Sequence, residues 1–325
     1  MHEPRRVILC RLGGIGDVIH TLPLVKHLKS CYKNASIEYI TSKDIAELLS
    51  DSCPYIDKVW IFNKKDKAKL AKEILSNKEK IDYLFNLHSS LSFALFNFFY
   101  LHSDKFFQYK KDPSVHAVIN FARTFEPNLS GLHLESKTMF INPERKTLTL
   151  HSLLPDKYVC FVPGVGNVRP HRAWAVENWL SLTKKFLHCE KDLKVVYLGG
   201  ESEIGLIDSS FNLDNRIINL IGKLSLLETA QIVSGAAYLI AGDTGLLHLA
   251  SALSKKVVGL YGPTLSSRSG PYTANYQVFV AKDCKCNCGF IDVKKCKKTK
   301  ELSGYCMNSL NVDEVLSGLL CNAVV

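Results

Sequence analysis

No apolar run in this 325-residue chain reaches the roughly 20 residues that a transmembrane helix requires. No apolar leader ending in a small-residue cleavage site follows Met1. A soluble, cytoplasmic protein is therefore expected. The longest apolar stretch, Leu91 to Leu101, is interrupted by Ser92 and Asn97 and reads as a buried core helix. Zinc-finger spacing, a basic zipper and an RNP-like aromatic strand are all missing, which sets nucleic acid aside as a partner. No Gly-Lys-Ser/Thr triplet follows a glycine turn, so there is no P-loop. No Asp-x-Asp pair is present to hold a divalent ion against a diphosphate, so no cofactor or metal is expected to be required. Short repeats are absent too.

What is present is a composition of 46% hydrophobic and 22% charged residues with a formal charge of +10. That is the balance of a globular chain long enough for two domains, and the excess of cations favours an acidic partner such as a nucleotide sugar or an anionic membrane surface. Short β-branched or aromatic runs alternate with longer amphipathic stretches, the pattern of βα units around a parallel sheet. The first set is Arg6 to Cys10, Ser36 to Thr41, Val59 to Phe62, Tyr83 to Leu87 and Lys105 to Tyr109. The second is Tyr158 to Pro163, Lys194 to Leu198, Ile217 to Ile221, Ala237 to Ala241, Val257 to Tyr261 and Gln277 to Val280. The polar segment Asn142 to Asp156, with Pro143 and Pro155, reads as a linker. The expected architecture is α/β: two Rossmann-like, doubly wound parallel-sheet domains, residues 1–150 and 151–325, facing a central cleft.

Ligands of open parallel sheets sit beyond the carboxyl ends of the strands, so the strand exits carry the functional argument. The first reads RLGGIGDVIHTLP: Gly13, Gly14 and Gly16 permit positive φ and close approach of a substrate, and Asp17 either faces the cleft or simply caps a helix. It is not a dinucleotide fingerprint, because the spacing is Gly-Gly-x-Gly and the acidic residue of the second strand, Glu38, falls in mid-strand. A second exit, AGDTGLLHLASAL, sets Asp243, Thr244 and Gly245 at a helix start that suits a pyrophosphate. His248 follows Thr244 at i+4 and is placed to donate to a phosphate or sugar. The alternative is a capping Asp-Thr pair with a half-buried histidine. A third exit, PGVGNVRPHRAWAVENW, carries Arg172 as a cation for the departing diphosphate, with Trp174 and Trp179 as core residues. Glu201, in LGGESE, is either a ribose ligand or an exposed first-turn carboxylate.

RLGGIGDVIHTLP together with GDTGLLHLASAL resembles the ADP-heptose:lipopolysaccharide heptosyltransferase family, and the likeness runs over nearly the whole chain, including the R-x-W step at Arg172 and Trp174, the GGES turn and VVGLYGP. The resemblance implies a GT-B fold, an acceptor domain followed by a donor domain, and inverting transfer of a heptose from an ADP-linked sugar to a glycan or glycolipid. On this likeness Asp17 matches the catalytic base. Arg172 stands where the family has a lysine or similar cation, Asp243, Thr244, Gly245 and His248 match the donor-binding helix start, and Glu201 matches a ribose ligand. Two departures lie in the acceptor half. Asn86, His88, Ser89 and Ser92 replace an Asp-x-Gln-Gly stretch and its following cation, and Asn120 stands where relatives often have arginine. His88, His116 and Arg123 are the candidates to compensate, with structural roles as the alternative. Other readings are glycosylation of a protein or another glycan, a sugar-nucleotide epimerase, and a non-catalytic nucleotide binder.

Cys284, Cys286, Cys288, Cys296 and Cys306 cluster among lysines. Their spacing is not that of a zinc ribbon, so free thiols are expected, with a structural metal and a disulfide as alternatives. The Lys294 to Lys300 run fits peripheral contact with the cytoplasmic face of the inner membrane, at about 1 kcal/mol per residue, or plain solvation. Val312 to Leu320 reads as a closing helix that packs back on the first half.

Overall fold

The computed structural model describes residues 3–321 apart from 77, 89–90, 129–136, 143–153, 155, 168, 208–213 and 283–305. The chain forms two compact units, Met1–Pro143 and Glu144–Val325. In the first, β1 (Arg6–Cys10), β2 (Ser36–Thr41), β3 (Lys58–Ile61), β4 (Tyr83–Asn86) and β5 (Lys105–Gln108) alternate with α1 (Ile15–Ile19), α2 (Leu22–Cys31), α3 (Lys43–Ser52), α4 (Lys67–Leu75) and α5 (Leu91–Phe96); α6 (Ala117–Ala122) follows. The second contains β6 (Tyr158–Val162), α7 (Val176–Cys189), β7 (Lys194–Tyr197), β8 (Ile217–Asn219), α8 (Leu226–Gly235), β9 (Tyr238–Gly242), α9 (Gly245–Ala252), β10 (Lys256–Tyr261), α10 (Ser266–Ser269), β11 (Tyr276–Val280) and α11 (Val312–Cys321). All eleven expected strands form.

The sheet orders are β3-β2-β1-β4-β5 and β11-β10-β9-β6-β7-β8, with every described pairing parallel. Counted from its own first strand, the second sheet runs 6-5-4-1-2-3, the doubly wound order of dinucleotide-binding folds, and the first is the same order shortened by one strand. The central strands β1, β6 and β9 are buried at every residue, as helices on both faces demand. The edge strands β3 and β5 are largely exposed.

One central position is charged. Arg6 on β1 and Glu38 on β2 are both buried, and Arg6 Nε donates to Glu38 Oε1 at 2.6 Å while Nη2 donates to Oε2 at 3.0 Å. Trp60 Nε1 also donates to Oε2, and Arg6 Nη2 and Nη1 reach the carbonyls of Ile74 and Glu79. The mid-strand acid is therefore occupied within the core.

One expectation is corrected. Residues 91–101 are helical, but Leu91, Leu95, Phe98 and Phe99 are 73%, 46%, 69% and 63% exposed, so only one face of this helix is core. The closing helix α11 inserts Val315 and Leu319 into the core of its own unit and packs against α7.

Candidate functional site

In each sheet the winding direction reverses between two adjacent strands, β1 and β4 in the first and β6 and β9 in the second. The loops leaving such a pair diverge to opposite faces and open a crevice at the strand ends. The motif residues other than Glu201, which follows β7, occupy those exits.

In the first unit, Gly13 adopts φ +125°, which a side chain would strain, and turns the chain into α1. Gly14 is at φ −63° as the α1 N-cap and Gly16 lies inside α1, so of the three glycines Gly13 alone uses the positive φ expected of the motif. Asp17 is the third residue of α1 and does not cap it. Its Oδ2 receives Nη2 of Arg11 at 2.6 Å, with Arg11 12% and Asp17 52% exposed at the side chain. Arg11 Nη1 donates to the Leu87 carbonyl at 2.9 Å and faces His88 Nδ1 at 3.3 Å, and the guanidinium lies 5.4 Å from the Phe121 ring centre. A single half-hidden cation thus ties the β1 exit to the β4 exit and presents an open carboxylate. Burial, then the Arg11 charge, pushes the His88 pKa down, so His88 is a neutral acceptor toward Arg11. Sequence reasoning missed Arg11, although an arginine directly after a buried strand and six residues before the candidate base was the available signal.

The other candidates of the first unit are engaged in the fold. His116 caps α6, its Nδ1 accepting from Val118 N at 3.2 Å. Asn120 accepts from the Tyr109 hydroxyl and Asp112 N and donates to the Lys110 carbonyl. Asn86 donates to Gln108 and accepts from His88 N. Arg123 lies 3.8 Å from Asp112.

In the second unit, the β6 exit crosses the β9 exit so closely that a β-carbon on Gly242 would sit 3.1 Å from Val165 Cγ1. Arg172 Nη1 meets Asp243 Oδ2 at 2.9 Å, and His248 Nε2 lies 3.5 Å from Oδ1. Burial pushes the Asp243 carboxyl up, but the His248 hydrogen bond and the Arg172 charge outweigh it and hold the group below the ordinary carboxylate value. Burial also lowers the Arg172 pKa despite Asp243; an arginine remains charged at physiological pH all the same. Asp243 and His248 are buried and turned toward each other. Thr244, Gly245 and Leu246 are partly open at the α9 start.

Several polar atoms here lack a partner among the described residues: Thr244 Oγ1, Arg172 Nε and both ring nitrogens of His171. Thr244 is the α9 N-cap yet makes no side-chain capping bond. Glu201 opens a short 3₁₀ turn and is exposed. Its neighbour Glu203, which sequence reasoning passed over, accepts from Gly166 N at 2.9 Å and Gly200 N at 2.8 Å, bracing the β6 and β7 exits against each other. A β-carbon on Gly164 would fall 1.9 Å from the Glu203 carboxylate, so that glycine makes the room. Trp174 and Trp179 are buried and pack edge to face, as expected. No group of three His, Cys, Asp or Glu side chains among the described residues is placed to hold a metal. Cys284, Cys286, Cys288 and Cys296 lie outside those residues, and Cys306 is buried.

Residues 97–300 match the family Glycosyltransferase family 9 (heptosyltransferase). Among curated proteins, the lipooligosaccharide heptosyltransferase 2 of Campylobacter jejuni (serotype O:6) is 23% identical over 318 residues, covering 93% of this chain and 94% of the relative. The crystal structure of a family 9 glycosyl transferase from Veillonella parvula superposes with a TM-score of 0.82 at 20% identity, over 99% of this chain and 98% of its own. Escherichia coli heptosyltransferase WaaC with ADP superposes with a TM-score of 0.72 at 18% identity, over 98% and 99%. These likenesses establish the expected GT-B fold class. With well over half of its length matched, the chain belongs to glycosyltransferase family 9 (heptosyltransferase) and is a glycosyltransferase.

Proposed function

We propose that this glycosyltransferase moves a heptose from an ADP-linked donor to a saccharide hydroxyl with inversion, in lipopolysaccharide core or related glycan synthesis in the cytoplasm, with the first unit binding the acceptor and the second the donor. The observation that carries the reading is an open carboxylate, Asp17, held by the half-hidden Arg11 at the strand exits of the first unit. Asp17 takes the proton of the acceptor hydroxyl as that oxygen bonds the anomeric carbon. The bond from that carbon to the diphosphate breaks, and its electron pair leaves with ADP. The family match begins at residue 97, so the role of Asp17 rests on its loop and its geometry.

On the donor side, the unpartnered Arg172 Nε, the Thr244 hydroxyl and the free N–H groups at the α9 start supply the positive field that a departing diphosphate needs. Gly245 lets the phosphate approach, Glu201 accepts from the ribose hydroxyls, and Asp243 with His248 positions Arg172. Such a cradle supplies the charge that a divalent ion supplies elsewhere, so transfer proceeds without a required metal. The ADP held by the Escherichia coli relative supports the choice of nucleotide.

Thermal-shift measurement against a nucleotide panel tests the donor. ADP and ADP-heptose at a hundred times their Kd stabilise the protein by about 2.7 kcal/mol, and UDP compounds at equal concentration leave the melting temperature unchanged. Preferential stabilisation by UDP compounds overturns the donor assignment. Calorimetric titration tests the cradle: Arg172→Gln lowers ADP affinity by roughly tenfold or more, whereas Arg172→Lys, which keeps the cation, retains most of it. Equal affinity in Arg172→Gln and the parent removes Arg172 from the site.

A further inference from the structure

Residues 91–101 form one continuous helical segment, α5 followed by a wider π turn over Asn97–Leu101. Its inner face is ordinary core: Phe93, Phe96 and Leu101 pack with Ile8, Leu84, Leu70 and Ile74. Its outer face is equally apolar. Leu91, Leu95, Phe98 and Phe99 stand at i, i+4, i+7 and i+8, the spacing of one helical stripe, and each is exposed, with Tyr100 beside them at 40%. A helix that is apolar all round belongs in an interior, so an outer stripe of two leucines and two phenylalanines marks a contact surface. The sheet extends it. Phe106 on the edge strand β5 pairs in register with Leu84 and therefore shares the face on which α5 packs, and it too is exposed.

The surroundings of the stripe are cationic. α4, packed alongside in the same core, and the turn before it carry five lysines, Lys64, Lys65, Lys67, Lys69 and Lys72, against two carboxylates, Asp66 and Glu73. Lys64, Lys65, Lys69 and Lys72 are exposed, and Lys67 Nζ reaches Ser92 Oγ at 3.2 Å, which sets this cationic segment directly against the start of the stripe. Projecting aromatics beside lysines match both layers of an anionic bilayer surface: the rings enter the headgroup and acyl boundary, and the ammonium groups remain at the phosphates. No described helix is long and apolar enough to cross a membrane, so the contact is with one surface.

We propose that the outer face of residues 91–101, flanked by the lysines of 64–72, docks the protein on an anionic membrane surface. This does not rest on the donor or base assignments above, and it places the contact on a different segment from the Lys294–Lys300 run, which lies outside the described residues.

Co-sedimentation of the full chain with vesicles tests the proposal. At about 0.1 M salt the protein sediments with phosphatidylcholine vesicles containing about 30% phosphatidylglycerol, and much less with phosphatidylcholine alone. The double variant Phe98→Ser, Phe99→Ser lowers partitioning to the anionic vesicles by roughly tenfold or more. Its melting temperature stays at the parent value, because both rings are already in solvent. Lys64→Gln, Lys65→Gln lowers binding to anionic vesicles without changing the weak binding to neutral ones. Parent protein that stays in the supernatant, or a phenylalanine variant that sediments like the parent, overturns the proposal. So does size-exclusion chromatography showing a dimer that the phenylalanine variant dissociates while vesicle binding is unchanged; the stripe would then join two copies of the chain. Nucleotide binding measured on the same samples keeps this result separate from the transferase reading.

Discussion

Replacing Asp17 by Asn is expected to lower kcat by about 10²- to 10⁴-fold, the usual contribution of a positioned general base, or about 3–5 kcal/mol in the barrier. Asn keeps the shape of the side chain and removes the proton acceptor. Because Asp17 is half exposed and its described ion pair is with Arg11 alone, the substitution leaves the core of the first unit intact. The nucleotide site proposed in the second unit is unaffected, so ADP affinity should stay within about twofold. The two readouts together separate a transferase from a protein that only binds nucleotide. Turnover within tenfold of the parent would remove Asp17 from the chemistry. Arg11→Met serves as the companion variant: it removes the group that aims Asp17 without removing the base, so its kcat should fall less than that of Asp17→Asn.

Glu38→Ala is expected to destabilise the first unit by about 3–5 kcal/mol, the cost of leaving a buried charge without its partner. Arg6 is 1% exposed. Removing the carboxylate strands the guanidinium and also the indole N–H of Trp60. In a unit of this size the melting temperature should fall by roughly 10 °C or more, read by calorimetry as a downward shift of the unfolding transition. The double variant Arg6→Met, Glu38→Leu recovers part of the loss, since an apolar pair of similar volume carries no desolvation penalty. A single variant that melts within about 2 °C of the parent would show that the pair is hydrated.

These two sites show unequal legibility. Asp17 stood out because glycines around a lone acid after an apolar strand leave few local explanations. Glu38 was legible only by exclusion: a mid-strand acid does not reach a ribose, but its partners lie 32 residues upstream and 22 downstream along the chain. The strands were legible from alternating apolar runs, and even their ends agree within about two residues. The helix at 91–101 was misread because apolar content reports that a residue avoids water, not which neighbour shelters it. Its inner and outer stripes are equally hydrophobic in sequence, and packing against the sheet distinguished them. Glu201 and Glu203 differ by two positions in one turn; the backbone of that turn aimed Glu203, not Glu201, at the N–H groups of Gly166 and Gly200.

The sequence by itself determined the βα alternation, the candidate strand exits and the resemblance to heptosyltransferases, because each depends on residues close along the chain: side-chain period, glycine φ, a helix start. Tertiary structure alone decided which exits meet. Arg11 with His88, and Arg172 with Asp243, are 77 and 71 residues apart and come together because strand order places their exits side by side. Strand order is set by how whole βα layers bury their apolar faces against one another, a property of the assembled unit that no local window of sequence contains.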